Sequence, residues 1–154
     1  MKKILLLLIF LLTACTGPQV SWHLSMLNKI VNTTDPTEKQ ALTSEYESVV
    51  QAYEAAKEEA TAGHPCPQWF EAAMDAGFTT QQWKEPVSRI MYRESQCNPL
   101  ADNSSSTARG LMQELSMWAD DCGGTYADLH DPQFNLNCAY HIWQVSGWNA
   151  WSTY

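Results

Sequence analysis

The sequence predicts an all-α protein. Apolar residues recur three and four apart over long stretches, and no segment alternates at period two for long. Two Asp-Pro pairs, Asp35-Pro36 and Asp131-Pro132, mark helix starts. An aspartate at the N-cap accepts from the first free N–H groups, and proline at the next position lacks only an N–H that would go unpaired.

The elements follow in order. Met1-Lys2-Lys3 is a short basic segment and Ile4 to Leu12 an unbroken apolar run, shorter than the roughly 20 residues that span a bilayer. Residues 1–14 therefore read as a signal peptide. The run ends in Leu12-Thr13-Ala14-Cys15, which resembles the lipobox of bacterial lipoproteins, a family in which the cysteine is lipidated and becomes the mature N-terminus. The resemblance implies an exported protein, lipid-anchored through Cys15 to a bacterial membrane and facing the cell wall or periplasm. An ordinary signal peptide with a chance cysteine is the alternative.

After a short tether, Ser21 to Val31 forms a short amphipathic helix, with Trp22, Met26 and Ile30 on one side. Asp35-Pro36 opens a longer one to Ala62, on which Leu42, Tyr46, Val49, Tyr53, Ala56 and Ala60 make a thin apolar stripe among many Glu and Lys. Gly63-His64-Pro65-Cys66-Pro67 is a natural boundary. Residues 15–63 are thus a lipidated tether and helical segment, and 64–154 a separate domain.

Within that domain, Pro67 to Ala76 reads as a helix stopped by Gly77, and Thr79-Thr80-Gln81-Gln82 as a capping box. Pro86 opens the next helix and Asn98-Pro99 closes it. Val87, Ile90, Met91 and Glu94 share one face of it, so a carboxylate continues an apolar stripe. Asp102 to Thr107 is a polar loop. A helix is expected from about Gly110 to Ala119, then a Cys-Gly-Gly turn, then a last helix from Pro132 to about Val145.

Composition narrows the function. Without Lys2 and Lys3 the nine Lys and Arg become seven, against 17 Asp and Glu, a balance of −10. No basic run remains, so nucleic acid is not an expected partner. With Cys15 assigned to lipid, Cys66, Cys97, Cys122 and Cys138 form an even set, which in an exported domain reads as two disulfides of undetermined pairing. A metal site is the rival, because Cys138 and His141 are three apart and Cys66 lies near His64. Their spacing matches no zinc pattern of two tight pairs, and no metal or cofactor is expected.

Three segments carry a second resemblance: Glu94-Ser95-Gln96-Cys97-Asn98-Pro99-Leu100-Ala101, Ala108-Arg109-Gly110-Leu111-Met112-Gln113 and Asp131-Pro132-Gln133-Phe134-Asn135-Leu136. In order and spacing they resemble the soluble lytic transglycosylase domain, a lysozyme-like domain akin to goose-type lysozyme in glycoside hydrolase family 23. The resemblance runs from about Cys66 to the C-terminus. The loop before Gly110 is one residue longer than the family's, and Gly147-Trp148-Asn149-Ala150-Trp151 stands where a Tyr-Asn-Ala-Gly motif is usual.

The resemblance implies peptidoglycan glycan strands as substrate and Glu94 as the general acid. Such an acid must hold a proton near neutral pH, and the apolar stripe before Glu94 is the setting expected to favour that. Ser95, Met112, Gln113, Asn135 and Tyr140 are the implied substrate-binding residues. For Met112 core packing is the alternative, for Ser95 and Asn135 a helix-turn role. Trp118, Trp143, Trp148 and Trp151 serve as sugar platforms or as core.

A second carboxylate decides the product, and Asp102 is the candidate beside the motif. If it positions water, the chain is a muramidase. If Glu94 works alone, the substrate's N-acetyl group assists, the C6 hydroxyl of N-acetylmuramic acid attacks C1, and a 1,6-anhydro end results. A non-catalytic glycan-binding lipoprotein is the reading from another class. The oligomeric state is not legible in the sequence.

Overall fold

The computed structural model describes residues 18–151, with side chains from Trp22 onward. The expected signal peptide and the expected lipidation site, Cys15, lie outside the described residues. The chain divides into two compact units between Ala56 and Lys57.

In the first unit, α1 spans Pro18–Asn32. The second helix, α2, spans Pro36–Thr61 and begins as its Asp-Pro pair predicts. The Asp35 carboxylate accepts from the N–H groups of Thr37 and Glu38, both at 2.8 Å. The apolar contact between the two helices is aromatic. Tyr46 is buried under the Trp22 ring, stacked at 5.9 Å, with His23 edge-on at 5.6 Å.

The second unit starts at Lys57, within α2, rather than at the Gly63 turn. Its packing explains why. Ala60 belongs to the core of this unit, and Lys57 donates to Glu71 at 2.6 Å. A 3-10 turn at Pro67–Trp69 leads into α3, Phe70–Asp75. Gly77 then reverses the chain with φ +109°, and a Cβ there would meet the Tyr140 ring at 2.9 Å. Glycine suits this place on both counts.

The predicted capping box forms at Thr79. Its hydroxyl accepts from the Gln82 N–H at 3.2 Å, and the Gln82 side chain accepts from the Thr79 N–H at 2.9 Å. The backbone breaks at Glu85, which is extended at φ −151° and ψ 114°; helical backbone resumes at Pro86, as its place in the sequence predicts, and leads into α4, Ser88–Ser95. It ends at Gln96, before Asn98-Pro99, because Gln96 takes a left-handed conformation at φ 53°.

No helix runs from Gly110 to Ala119. Residues 101–116 form a compact loop with isolated antiparallel bridges between Asp102 and Arg109 and between Arg109 and Glu114. Only Met117–Asp121 is helical, as α5. Positive φ at Gly110 and Gln113, 81° and 54°, is incompatible with a continuing helix. A 3-10 turn at Tyr126–His130 precedes α6, Pro132–Ser146, whose N-cap Asp131 accepts from the Phe134 N–H at 2.8 Å.

The core of this unit is one cluster. Trp83, Val87, Ile90 and Met91 meet Leu111 and Met112 from the loop, Leu129 from the turn, and Leu136, Ala139 and Ile142 from α6. Fully burying each large side chain contributes about 1.5–3 kcal/mol.

Two disulfides tie the elements together. Cys66–Cys97 links the entry of the unit to the end of α4, and Cys122–Cys138 links α5 to α6. With these thiols bonded to each other, the metal reading loses its Cys66 and Cys138 ligands. They close loops of 31 and 16 residues, so chain entropy assigns about 3 to 4 kcal/mol to each. The double variant Cys122→Ser/Cys138→Ser is expected to melt at least about 10 °C below the parent by calorimetry. A shift of a degree or two would show that this crosslink stabilises little.

Candidate active site

Glu94 lies in the last turn of α4, half-buried, one turn beyond the fully buried Ile90 and Met91. The end of that helix is firmly held. Gln96 and Cys97 both adopt left-handed backbone, Cys97 is bonded to Cys66, and the Trp69 indole donates to the Cys97 carbonyl at 3.0 Å. Glu94 faces a cleft of about 230 Å³ lined also by Gln113, Glu114, Leu115, Trp118, Ile142, Ala150 and Trp151.

The far wall of the cleft is the loop, and one side chain organises it. Asn135, in the first turn of α6, is fully buried. Its Oδ1 accepts from the Met112 N–H at 2.9 Å. Its Nδ2 reaches the carbonyls of Leu129 at 3.0 Å and Arg109 at 3.1 Å, and also donates to the Glu114 carboxyl. Gly110 makes this approach possible, since a Cβ there would occupy the place of the Asn135 amide and the Leu129 carbonyl. The Gly-Leu-Met-Gln segment and the Asp-Pro-x-x-Asn segment thus meet at one point, beneath the cleft.

The sequence-predicted site residues separate accordingly. Gln113 lines the cleft, and its amide donates to the carbonyls of Ala101 at 3.1 Å and Gly110 at 3.0 Å, which holds the loop shut. Met112 is not a lining residue. Its side chain is fully buried, and its carbonyl accepts from the Trp151 indole at 2.8 Å. Asn135 is likewise sealed from the cleft. Ser95 turns its hydroxyl back to the Met91 carbonyl at 3.0 Å, away from the lining. Tyr140 packs edge-on against Phe78 at 5.1 Å and beside Trp143, in an aromatic cluster that includes Trp148 and does not line the cleft. Of the four tryptophans, Trp118 and Trp151 reach it.

Asp102 is not among the lining residues either. Its carboxylate accepts from Arg109 Nε at 2.6 Å and lies 3.1 Å from His130 Nε2, while the Arg109 guanidinium stacks over the Tyr126 ring at 3.8 Å. The Arg109 hydrogen bond, helped by the charges of Arg109 and His130, holds Asp102 below the usual carboxylate range. Its role is to fasten the loop.

Glu114 is the residue that sequence reasoning missed. It is only 3% exposed, yet it lines the cleft with Glu94. Burial pushes its carboxyl well above the ordinary glutamate range. Its own backbone N–H and Asn135 oppose that shift, and the charge of Glu94 adds to it. One oxygen accepts from Asn135, while the other, Oε1, is buried without a hydrogen-bond partner among the described residues. The available signal was a carboxylate inside the apolar run Leu111-Met112-Gln113-Glu114-Leu115.

The raised Glu114 fixes the sign of one pH dependence. Below the ordinary value of 4.5 the carboxyl is protonated in both folded and unfolded chains. As pH rises past it, the unfolded chain loses this proton and the folded chain keeps it, so stability falls until the folded carboxyl also ionises. Glu114→Gln removes that slope. As pH is raised from the ordinary value of 4.5, denaturant titrations are expected to show the variant gaining on the parent until the folded carboxyl ionises. A stability difference constant across that range would mean that Glu114 is not neutral in the fold.

Comparison with characterised proteins and with solved structures finds no match. A family model described as a lysozyme-like domain matches residues 70–153, more than half of the chain and all of the cleft's lining. The chain belongs to this lysozyme-like family, whose membership points to lytic, glycosidase-type activity on the glycan strands of peptidoglycan.

Proposed function

We propose that the protein is a peptidoglycan lytic transglycosylase in which Glu94 acts first as general acid and then as general base. It would protonate the oxygen of the β-1,4 bond between N-acetylmuramic acid and N-acetylglucosamine. The N-acetyl group assists departure, the C6 hydroxyl attacks C1, and Glu94 takes up the hydroxyl proton. The product is a 1,6-anhydro-muramic end.

One observation carries the choice of a lyase over a hydrolase. Hydrolysis through a protein nucleophile or an enzyme-held water needs an ionised second carboxylate, roughly 5 Å from the acid in the first case and roughly 6.5–9.5 Å in the second. Asp102 is ionised, but it is engaged by Arg109 and His130 and is not among the lining residues. Glu114 shares the cleft, but burial favours its neutral form in the resting site. A neutral carboxyl neither activates water nor attacks C1. The acidic chain meets an anionic polymer, so binding rests on short-range contacts, which Trp118, Trp151 and Gln113 are placed to make.

The same reading puts the enzyme outside the cytoplasm, held to a membrane by lipid on Cys15. Two disulfides in so small a domain fit an oxidising compartment.

Glu94→Gln is expected to lower muropeptide release from purified peptidoglycan by at least about a hundredfold, with an unchanged circular dichroism spectrum. Mass spectrometry of the parent digest should find anhydro ends. Reducing ends would identify a muramidase, and no release at all a glycan-binding protein. Cys15→Ser is expected to move the full-length protein from the membrane to the soluble fraction, and continued membrane retention would refute the lipid anchor.

A further inference from the structure

A buried acid with one unpartnered oxygen on the wall of a catalytic cleft is an expensive arrangement. An apolar side chain of similar size would fill the space without leaving a polar atom unsatisfied, which costs on the order of 1–3 kcal/mol. The surroundings of Glu114 are also built to keep one orientation. Asn135 grips one carboxyl oxygen, the Arg109 N–H donates to the Glu114 carbonyl at 3.1 Å, and Gly110 leaves room for the Asn135 amide. The other oxygen, Oε1, is buried without a hydrogen-bond partner among the described residues, in a side chain that lines the same cleft as Glu94.

We propose that Glu114 is a proton-positioning residue, which holds the proton that reaches the leaving oxygen through Glu94 and receives it back at the end of the cycle. The inference rests on the lyase reading of Glu94. The proton inventory closes. The O–H bond of Glu114 breaks as one forms on Glu94, through one intervening water. Glu94 passes that proton to the glycosidic oxygen as the bond from C1 breaks. The C6 hydroxyl then bonds to C1 and yields its proton to Glu94, from which it returns to Glu114. No water is consumed and no proton is lost, as a lyase requires.

The charged groups around Glu114 leave it a single electrostatic neighbour among the described residues. Glu94 on α4 is the one whose charge acts on it. Arg109, on the same loop, offers only its backbone, because its guanidinium is spent on Asp102 and the Tyr126 ring. His130, from the 3-10 turn, also sits on Asp102, and α6 contributes the neutral Asn135. Burial first, and then the charge of Glu94, favour the protonated form of Glu114.

The test is the pH profile of Glu114→Gln on soluble peptidoglycan fragments. We expect kcat to fall about ten- to a hundredfold with KM within about twofold, and the alkaline limb of kcat to move to lower pH. Glu114→Asp, which keeps a carboxyl, should restore part of that limb. A limb at the parent's pH in the glutamine variant would overturn the proposal, as a purely structural residue would not move it.

Carbon-13 carboxyl NMR decides the matter independently of how the glutamine variant folds. In both the parent and Glu94→Gln, one glutamate should remain protonated at neutral pH, and its absence would also overturn the proposal. Failure of the underlying reading looks different. There Glu94→Gln would stay active, or the products would carry reducing ends.

Discussion

The whole site hangs on the side-chain amide of Asn135. In one buried spot it accepts from the Met112 N–H and donates to the loop, the 3-10 turn and the Glu114 carboxyl. Each of these groups is far from water, so leaving one unpaired costs about 1–3 kcal/mol. A loop of sixteen residues without regular structure would otherwise have many conformations to choose from. With its turn pinned from α6, it presents Gln113 and Glu114 to the cleft and buries Leu111 and Met112 beneath it.

Around that point the two walls of the cleft are fixed by different means. The Glu94 wall is covalent and helical, with a short helix stopped by a left-handed residue and stapled by Cys66–Cys97. The opposite wall is held by hydrogen bonds, with Asp102, Arg109 and His130 fastening its outer edge. The division suits the chemistry. The general acid proposed at Glu94 would take a fixed place on a rigid element, while the loop brings Gln113 and Glu114 to the opposite side.

Features set by local chemistry were legible in the sequence. Asp35, Thr79 and Asp131 cap their helices because the donors they serve lie within three residues. The apolar face of Val87, Ile90 and Met91 was equally readable from periodicity, and all three are buried. What failed was non-local. The segment from Gly110 looks helical in isolation, and only an asparagine 25 residues later, packed against a glycine, makes it a loop. The same distance in sequence hid the disulfide pairing.

The carboxyls show the same limit. Asp102 drew notice because it follows the acid closely in sequence, yet an arginine seven residues away claims it. A desolvated carboxyl is found at Glu114, whose neighbours in space are set by the fold. The resemblance marked Met112 and Asn135 as residues that matter, but burial places both under the cleft as its support.

The close approach of Gly110 to Asn135 also constrains how this site can vary over time. Gly110, Asn135 and Glu114 compete for one small volume, so a change at any of them alters what the other two can do. A methyl group at 110 displaces the amide, and a displaced amide releases both the Met112 N–H and the Glu114 carboxyl. Substitutions in direct contact do not add, and interaction energies of about 0.5–3 kcal/mol are usual for them. The effects of substitutions at the three positions are therefore expected to depend on one another rather than to add.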